Sequence, residues 1–136
     1  MTRVVVPVRY PLGRRSLATL ERAIEEARER EAELTILHVN LYQSGQSVTR
    51  SELKSAVERQ FGRLERARYV VQTGFLIEES ILDEVAAADA DVVVLGARQV
   101  TRWRSLLTRL TGNPNIVDFL REHLNCEVIT VDRGTG

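Results

Sequence analysis

Short β-branched runs alternate along this chain with stretches whose apolar residues recur every three or four positions. Arg3-Val-Val-Val-Pro-Val-Arg9 is almost continuously apolar, the pattern of a strand buried on both faces. From Ser16 onward, Leu17, Leu20, Ile24 and Ala27 mark one face of a helix, with Glu and Arg between them. Leu34-Thr-Ile-Leu-His-Val-Asn40 reads as a second strand, followed by a loop over 41–48. Thr49 and Glu52 have the spacing of a capping box, and Leu53, Ala56, Val57, Phe61 and Leu64 give the second helix its stripe. Ala67–Gln72 is a third strand closed by Thr73-Gly74. Ile77, Ile81, Leu82, Val85 and Ala88 mark a third helix, and Ala90-Asp-Val-Val-Val-Leu95 is a central fourth strand. After Gly96 an Arg-rich loop is expected, with a short helix around Trp103–Leu110. Asn113-Pro114 starts a last helix, and Cys126-Glu-Val-Ile-Thr-Val131 is a fifth strand.

This alternation predicts an α/β fold: a doubly wound five-stranded parallel sheet with helices on both faces, as one domain over 1–136. In such sheets ligands bind outside the carboxyl ends of the strands, where the strand order reverses. The charge pattern sharpens that expectation. The net charge is zero, but residues 1–20 and 92–117 hold eight arginines and no acid. If strands one and four are neighbours, Arg9, Arg14, Arg15, Arg98, Arg102 and Arg104 surround one crevice. The competing reading makes Arg14, Arg15, Arg102 and Arg104 a solvated face paired with glutamates of neighbouring helices.

Other classes are disfavoured. A single cysteine, Cys126, leaves no internal disulfide framework and fits a reducing compartment. No apolar run approaches a membrane span, and the first residues lack a signal peptide's pattern, so a cytoplasmic location is expected. Two isolated histidines and one cysteine make no metal-ligand spacing. No serine sits in a G-x-S-x-G turn, and no nucleophile–base–orienter set emerges, which argues against an enzyme. Zero net charge and 5% aromatic residues argue against nucleic acid as a partner. His38, inside an apolar strand, is expected to be a hydrogen-bonded structural residue. Trp103, between Arg102 and Arg104, is expected to anchor its loop on the body, with stacking on a nucleotide base and contact with a partner as the other readings.

The ordered series resembles the universal stress protein (UspA-like) family. Val4-Val-Val-Pro-Val8, Ala32-Glu-Leu-Thr-Ile-Leu-His-Val39, Gly74 with its following helix, Ala90–Gly96 and Cys126–Val131 are each similar to the family's successive elements. The resemblance implies a Rossmann-like fold, a stress or regulatory role without catalysis, and often a homodimer through the C-terminal strand. ATP-binding members carry G-x2-G-x9-G-[ST] after the fourth strand. Here Gly96 fits, but Gln99 occupies the second glycine's place. Arg109 and Leu110 fall where Gly and Ser/Thr belong; Gly112 comes three residues late, followed by Asn113. Arg9 stands where ATP binders usually carry an acid after Pro-Val. Poor ATP binding is therefore expected, with a basic crevice for a small anion in its place. The alternatives are an ATP/AMP binder with a degenerate phosphate loop and a ligand-free scaffold for a protein partner. The resemblance puts Pro7, Val8, Arg9, Val39, Leu95, Gly96, Arg98, Gln99, Gly112 and Asn113 at the ligand site.

Overall fold

The computed structural model describes residues 2–45, 47–103 and 124–132. Strands β1 (Arg3–Pro7), β2 (Glu33–Leu41), β3 (Ala67–Gly74), β4 (Val92–Gly96) and β5 (Glu127–Val131) form one sheet in the order β3-β2-β1-β4-β5. Every neighbouring pair is parallel. Helices α1 (Arg14–Glu29), α2 (Arg50–Phe61) and α3 (Ile77–Ala87) cross between the strands. A fourth helical segment occupies 97–103.

The continuous apolar runs are explained by two cores, one on each face. Alternate residues of β1 serve both: Val4 and Val6 join Leu20, Ala23 and Ile24 of α1 and Leu53 and Val57 of α2. Val5 joins Ile81 and Val85 of α3, with Leu37, Val93, Leu95 and Trp103. Because each parallel strand needs a crossover, and crossovers lie on both faces, no central strand exposes a polar face.

One local expectation is met in atomic detail, and two others are revised. Glu52 N–H donates to Thr49 Oγ1 at 3.2 Å while Thr49 N–H donates to Glu52 Oε1 at 3.1 Å, completing the capping box of α2. β1 stops at Pro7, two residues earlier than its apolar run suggested: Val8 N–H still bonds to Leu37 O of β2, but Arg9 is already exposed. The chain after Gly96 does not form the expected loop: it is helical from residue 97, and Trp103 already lies within that helix. The last helix expected from Asn113-Pro114 lies outside the described residues. Among the described residues, no helix is long and apolar enough to cross a membrane.

β5 is an edge strand, held to α1 by Arg30, whose Nη2 lies 2.9 Å from Glu127 Oε2 and whose Nε reaches Glu26. Just before it, Cys126 is buried, and that burial, with the charges of Asp91 and Glu127 nearby, pushes its thiol up to about 11. A thiol that ionises later in the folded state than its ordinary 9.0 contributes stability below pH 9 that is lost as the pH rises through 11. Urea titrations should therefore show stability falling between pH 9 and 11, and Cys126→Ala should flatten that fall. An equal slope in both proteins would assign the loss to other groups, among them Tyr69, whose phenol burial and the charge of Glu58 push up to about 12.

Candidate functional site

Strand order reverses between β1 and β4: the chain proceeds to β2 and β3 on one side and to β4 and β5 on the other. The carboxyl ends of β1, β2 and β4 open there into a cleft of about 740 Å³. Its walls come from four places, with Val131 and Asp132 at the end of β5 beside them.

The first wall is the loop from β1 into α1, with Pro7, Val8, Arg9, Tyr10, Pro11 and Gly13. The Tyr10–Pro11 peptide is cis. Arg9 N–H donates to Ser16 Oγ at 3.2 Å, tying the loop to the helix it feeds. The second wall is the start of α1. Gly13 is its N-cap and offers no side-chain acceptor, and the first turn holds no acid. Backbone N–H groups of that turn thus lack a side-chain cap, and Arg14 and Arg15 stand among them, both lining the cleft.

The third wall is the end of β2, where Leu37, His38, Val39, Asn40 and Leu41 line the cleft. His38 is buried and its Nδ1 lies 3.1 Å from Val8 O; its ring meets Tyr10 edge-on at 6.2 Å. It thereby locks β2 to the β1 loop, the structural role its setting suggested, while also facing the cleft. Asn40 exchanges two 3.0 Å hydrogen bonds with Val48 and so fixes the loop leaving β2. The fourth wall is Gly96 with the helical turn behind it: Ala97, Arg98, Gln99 and Arg102. Gly96 faces α1, where a Cβ would stand 3.4 Å from Thr19 Oγ1, an ordinary contact. Gln99 Nε2 donates to Glu78 Oε1 at 3.3 Å, so this wall is bound to the first turn of α3.

Of the residues singled out in the sequence, Pro7, Val8, Arg9, Val39, Gly96, Arg98 and Gln99 meet in this cleft. Leu95 does not: it is fully buried in the α3-side core and is not among the residues lining the cleft. Gly112, Asn113 and Arg104 lie outside the described residues. Arg9, Arg14, Arg15, Arg98 and Arg102 all line the cleft, with Asp132 as the one acid among the described residues that line it. The polar backdrop of Ser16, Thr19, Asn40 and Ser44 was not singled out from sequence, since small polar residues near strand ends are too common to stand out. Among the described residues no cluster of His, Cys, Asp and Glu could hold a metal ion.

A sequence profile of the Universal stress protein family matches residues 1–132. No curated protein sequence matches significantly. Among solved structures, the chain is similar to a universal stress protein in complex with cAMP, with 17% identity, TM-score 0.59, and 96% of this chain and 97% of that one covered. It is also similar to the universal stress protein UspA from Lactobacillus plantarum, at 21% identity and TM-score 0.61, covering 96% and 97%. A universal stress protein from Archaeoglobus fulgidus in complex with dAMP matches at 19% identity and TM-score 0.56, covering 97% and 98%.

Proposed function

The chain belongs to the universal stress protein family, and on that premise we propose that it is a non-catalytic stress or regulatory module whose cleft takes a small phosphate-bearing anion and binds Mg-ATP poorly. The observation that carries this reading is the set of five arginines lining the cleft at the sheet's switch point. Guanidinium groups are charged at every physiological pH and match phosphate oxygens two at a time. The uncapped start of α1 adds backbone donors on the same side. Two of the similar structures hold cAMP and dAMP, each with a single phosphate, which favours a ligand with one phosphate over a triphosphate.

Poor ATP binding follows from what replaces the glycines. Gln99 stands where ATP-binding members place the second glycine, and it lies in a helical turn with its side chain bonded to Glu78. A triphosphate needs backbone N–H groups it can approach closely, and a Cβ at 99 narrows that approach. Arg9 in the place of an acid further alters the wall that ATP-binding members present.

Calorimetry with Mg-ATP, AMP and inorganic phosphate tests the reading. Mg-ATP should bind more weakly than AMP. Arg98→Ala should weaken AMP binding by about 1.5–3 kcal/mol, the usual cost of a lost charge-assisted contact, whereas Arg59→Ala on α2 should leave it unchanged. A micromolar Mg-ATP dissociation constant, about −8 kcal/mol, would overturn the proposal. The same reading includes a homodimer paired along β5.

A further inference from the structure

The sheet has a second edge, opposite β5, and β3 forms it. Leu34 N–H donates to Arg66 O at 3.0 Å, so Arg66 and every second residue after it turn their backbone groups toward β2. Ala67, Tyr69, Val71 and Thr73 therefore address the open side. Two side chains close part of it. Arg50 Nε of α2 donates to Tyr69 O at 3.1 Å, and Gln43 Nε2 donates to Phe75 O at 3.1 Å just past the strand. Between these caps the backbone groups of Val71 and Thr73 that face outward have no partner among the described residues.

This gap lies between an apolar end and an acidic flank. From Tyr69 to Ile77 the sequence carries no charge. The run reaches the large apolar side chains left in water, Phe75 at 70% and Leu76 at 46% exposure, with Tyr42 at 59% beside them. The rings of Tyr42 and Phe75 stand 4.7 Å apart, steadied by the Gln43 bond. The flank comes from α3. Glu84 accepts from Gln72 Nε2 of β3 at 2.7 Å, whereas Glu78 accepts from Gln99 beyond β4, so the Glu84 side of the helix adjoins β3. Glu79 and Asp83 each precede a residue on that side, Ser80 or Glu84, and are turned outward from it by about 100°. Both are exposed, and neither is in an ion pair among the described residues.

We propose that the carboxyl-terminal half of β3 is a docking edge for another protein, which adds an extended segment to the sheet. That segment turns basic side chains toward Glu79 and Asp83 and lays an apolar side chain on the Tyr42–Phe75 pair. Main-chain bonds to Val71 and Thr73 supply affinity, and the alternating side chains supply specificity. The charge pattern disfavours a second copy as the occupant. Antiparallel pairing of two β3 strands about a twofold axis sets both α3 helices on one face, with Glu79 and Asp83 of each copy turned toward the same acids of the other. A strand bearing Arg or Lys meets no such repulsion. None of Val71, Thr73, Phe75, Glu79 and Asp83 lines the cleft, so the edge stays open whether or not the cleft is filled.

Fluorescence anisotropy with two labelled hexapeptides, one alternating valine with arginine and the other valine with glutamate, tests the edge. The wild-type protein should bind the arginine peptide about tenfold more tightly than the glutamate peptide. Glu79→Gln/Asp83→Asn should shrink that ratio to about threefold, while Glu25→Gln/Glu29→Gln, the same change on α1, should leave it unchanged. The arginine peptide is also made N-methylated on its valines alone and on its arginines alone. One version loses the N–H groups that face β3 and should bind about tenfold more weakly; the other loses only outward groups and should bind as before. Thr73→Pro, which removes an outward N–H from an exposed residue, should weaken the unmethylated peptide about tenfold with unchanged circular dichroism. Equal binding of the arginine and glutamate peptides, or of neither, would overturn the proposal. So would methylated versions that both bind like the parent, since the contact would then be charge alone. A wild-type mass that grows beyond a dimer with concentration, and returns to it in Thr73→Pro, would give the edge to a second copy and overturn the proposal as well.

Discussion

Trp103→Ala should destabilise the protein by about 3–5 kcal/mol, the range for removing a fully buried large aromatic side chain. Trp103 has no exposed surface and is the largest fully buried side chain among the described residues. It packs in the core shared by Val5, Leu37, Ile81, Val85, Val93 and Leu95, so truncation opens a void next to the two central strands and α3. A domain of this size is stable by only about 5–15 kcal/mol, so the variant should unfold at markedly lower urea concentration. Trp103→Phe should lose less, partly because the indole Nε1 has no hydrogen-bond partner among the described residues and its removal relieves a buried donor. The effect should reach the cleft too, because the same helical turn carries Ala97, Arg98, Gln99 and Arg102 along its wall. Circular dichroism in urea gives the stability, and AMP calorimetry below the unfolding transition gives the cleft. A Trp103→Ala protein within about 1 kcal/mol of wild type would show that this helix is not anchored through its indole.

Trp103 also shows how far the sequence was legible. Of the three roles that a lone indole between arginines leaves open, its complete burial in the core fits the first, an anchor. The element around it was misread: acid-free, Arg-rich residues after a glycine suggested a loop, yet helix begins at residue 97. Arginine is itself a good helix former, and burial of Val100 and Trp103 against the core supplies the rest. Strands were easier. Val4–Val6 and Val92–Leu95 are apolar on both faces, and only a two-sided sheet buries such runs completely. The arginine clustering in the cleft was visible because charge segregation survives in the sequence once β1 and β4 are taken as neighbours. Leu95 stands beside Gly96 in the sequence, but its side chain is fully buried in the core beneath the cleft. The ring contact of Tyr42 with Phe75 gave no such signal: the two are thirty-three positions apart and meet because β2 and β3 pair in register from Leu34–Ala67 to Leu41–Gly74.

The proposed dimer makes the second large prediction, that single proline substitutions in β5 convert a dimer to a monomer. β5 is the last strand of the sheet, paired on one side to β4. Glu127 N–H donates to Asp91 O, toward β4. In a parallel pair alternate residues address the same neighbour, so the N–H groups of Val128 and Thr130 face the open edge. Natural edges are usually blunted by Lys, Pro or a covering element. Here the strand's charge, Glu127, is engaged by Arg30 of α1, which leaves Val128, Ile129 and Thr130 to meet a partner. A second copy related by a twofold axis would run antiparallel along this edge and satisfy those donors. Thr130→Pro removes one outward N–H from an exposed residue, so it should cost association and leave the protomer's own ladder intact. Val128→Pro removes the other but also disturbs a side chain packed against the α3-side core. Sedimentation at tens of micromolar should give the wild type near twice 15.4 kDa and Thr130→Pro near 15.4 kDa, with unchanged circular dichroism. A wild type that sediments as a monomer under those conditions ends the proposal. A Thr130→Pro protein that remains dimeric would move the interface away from this edge.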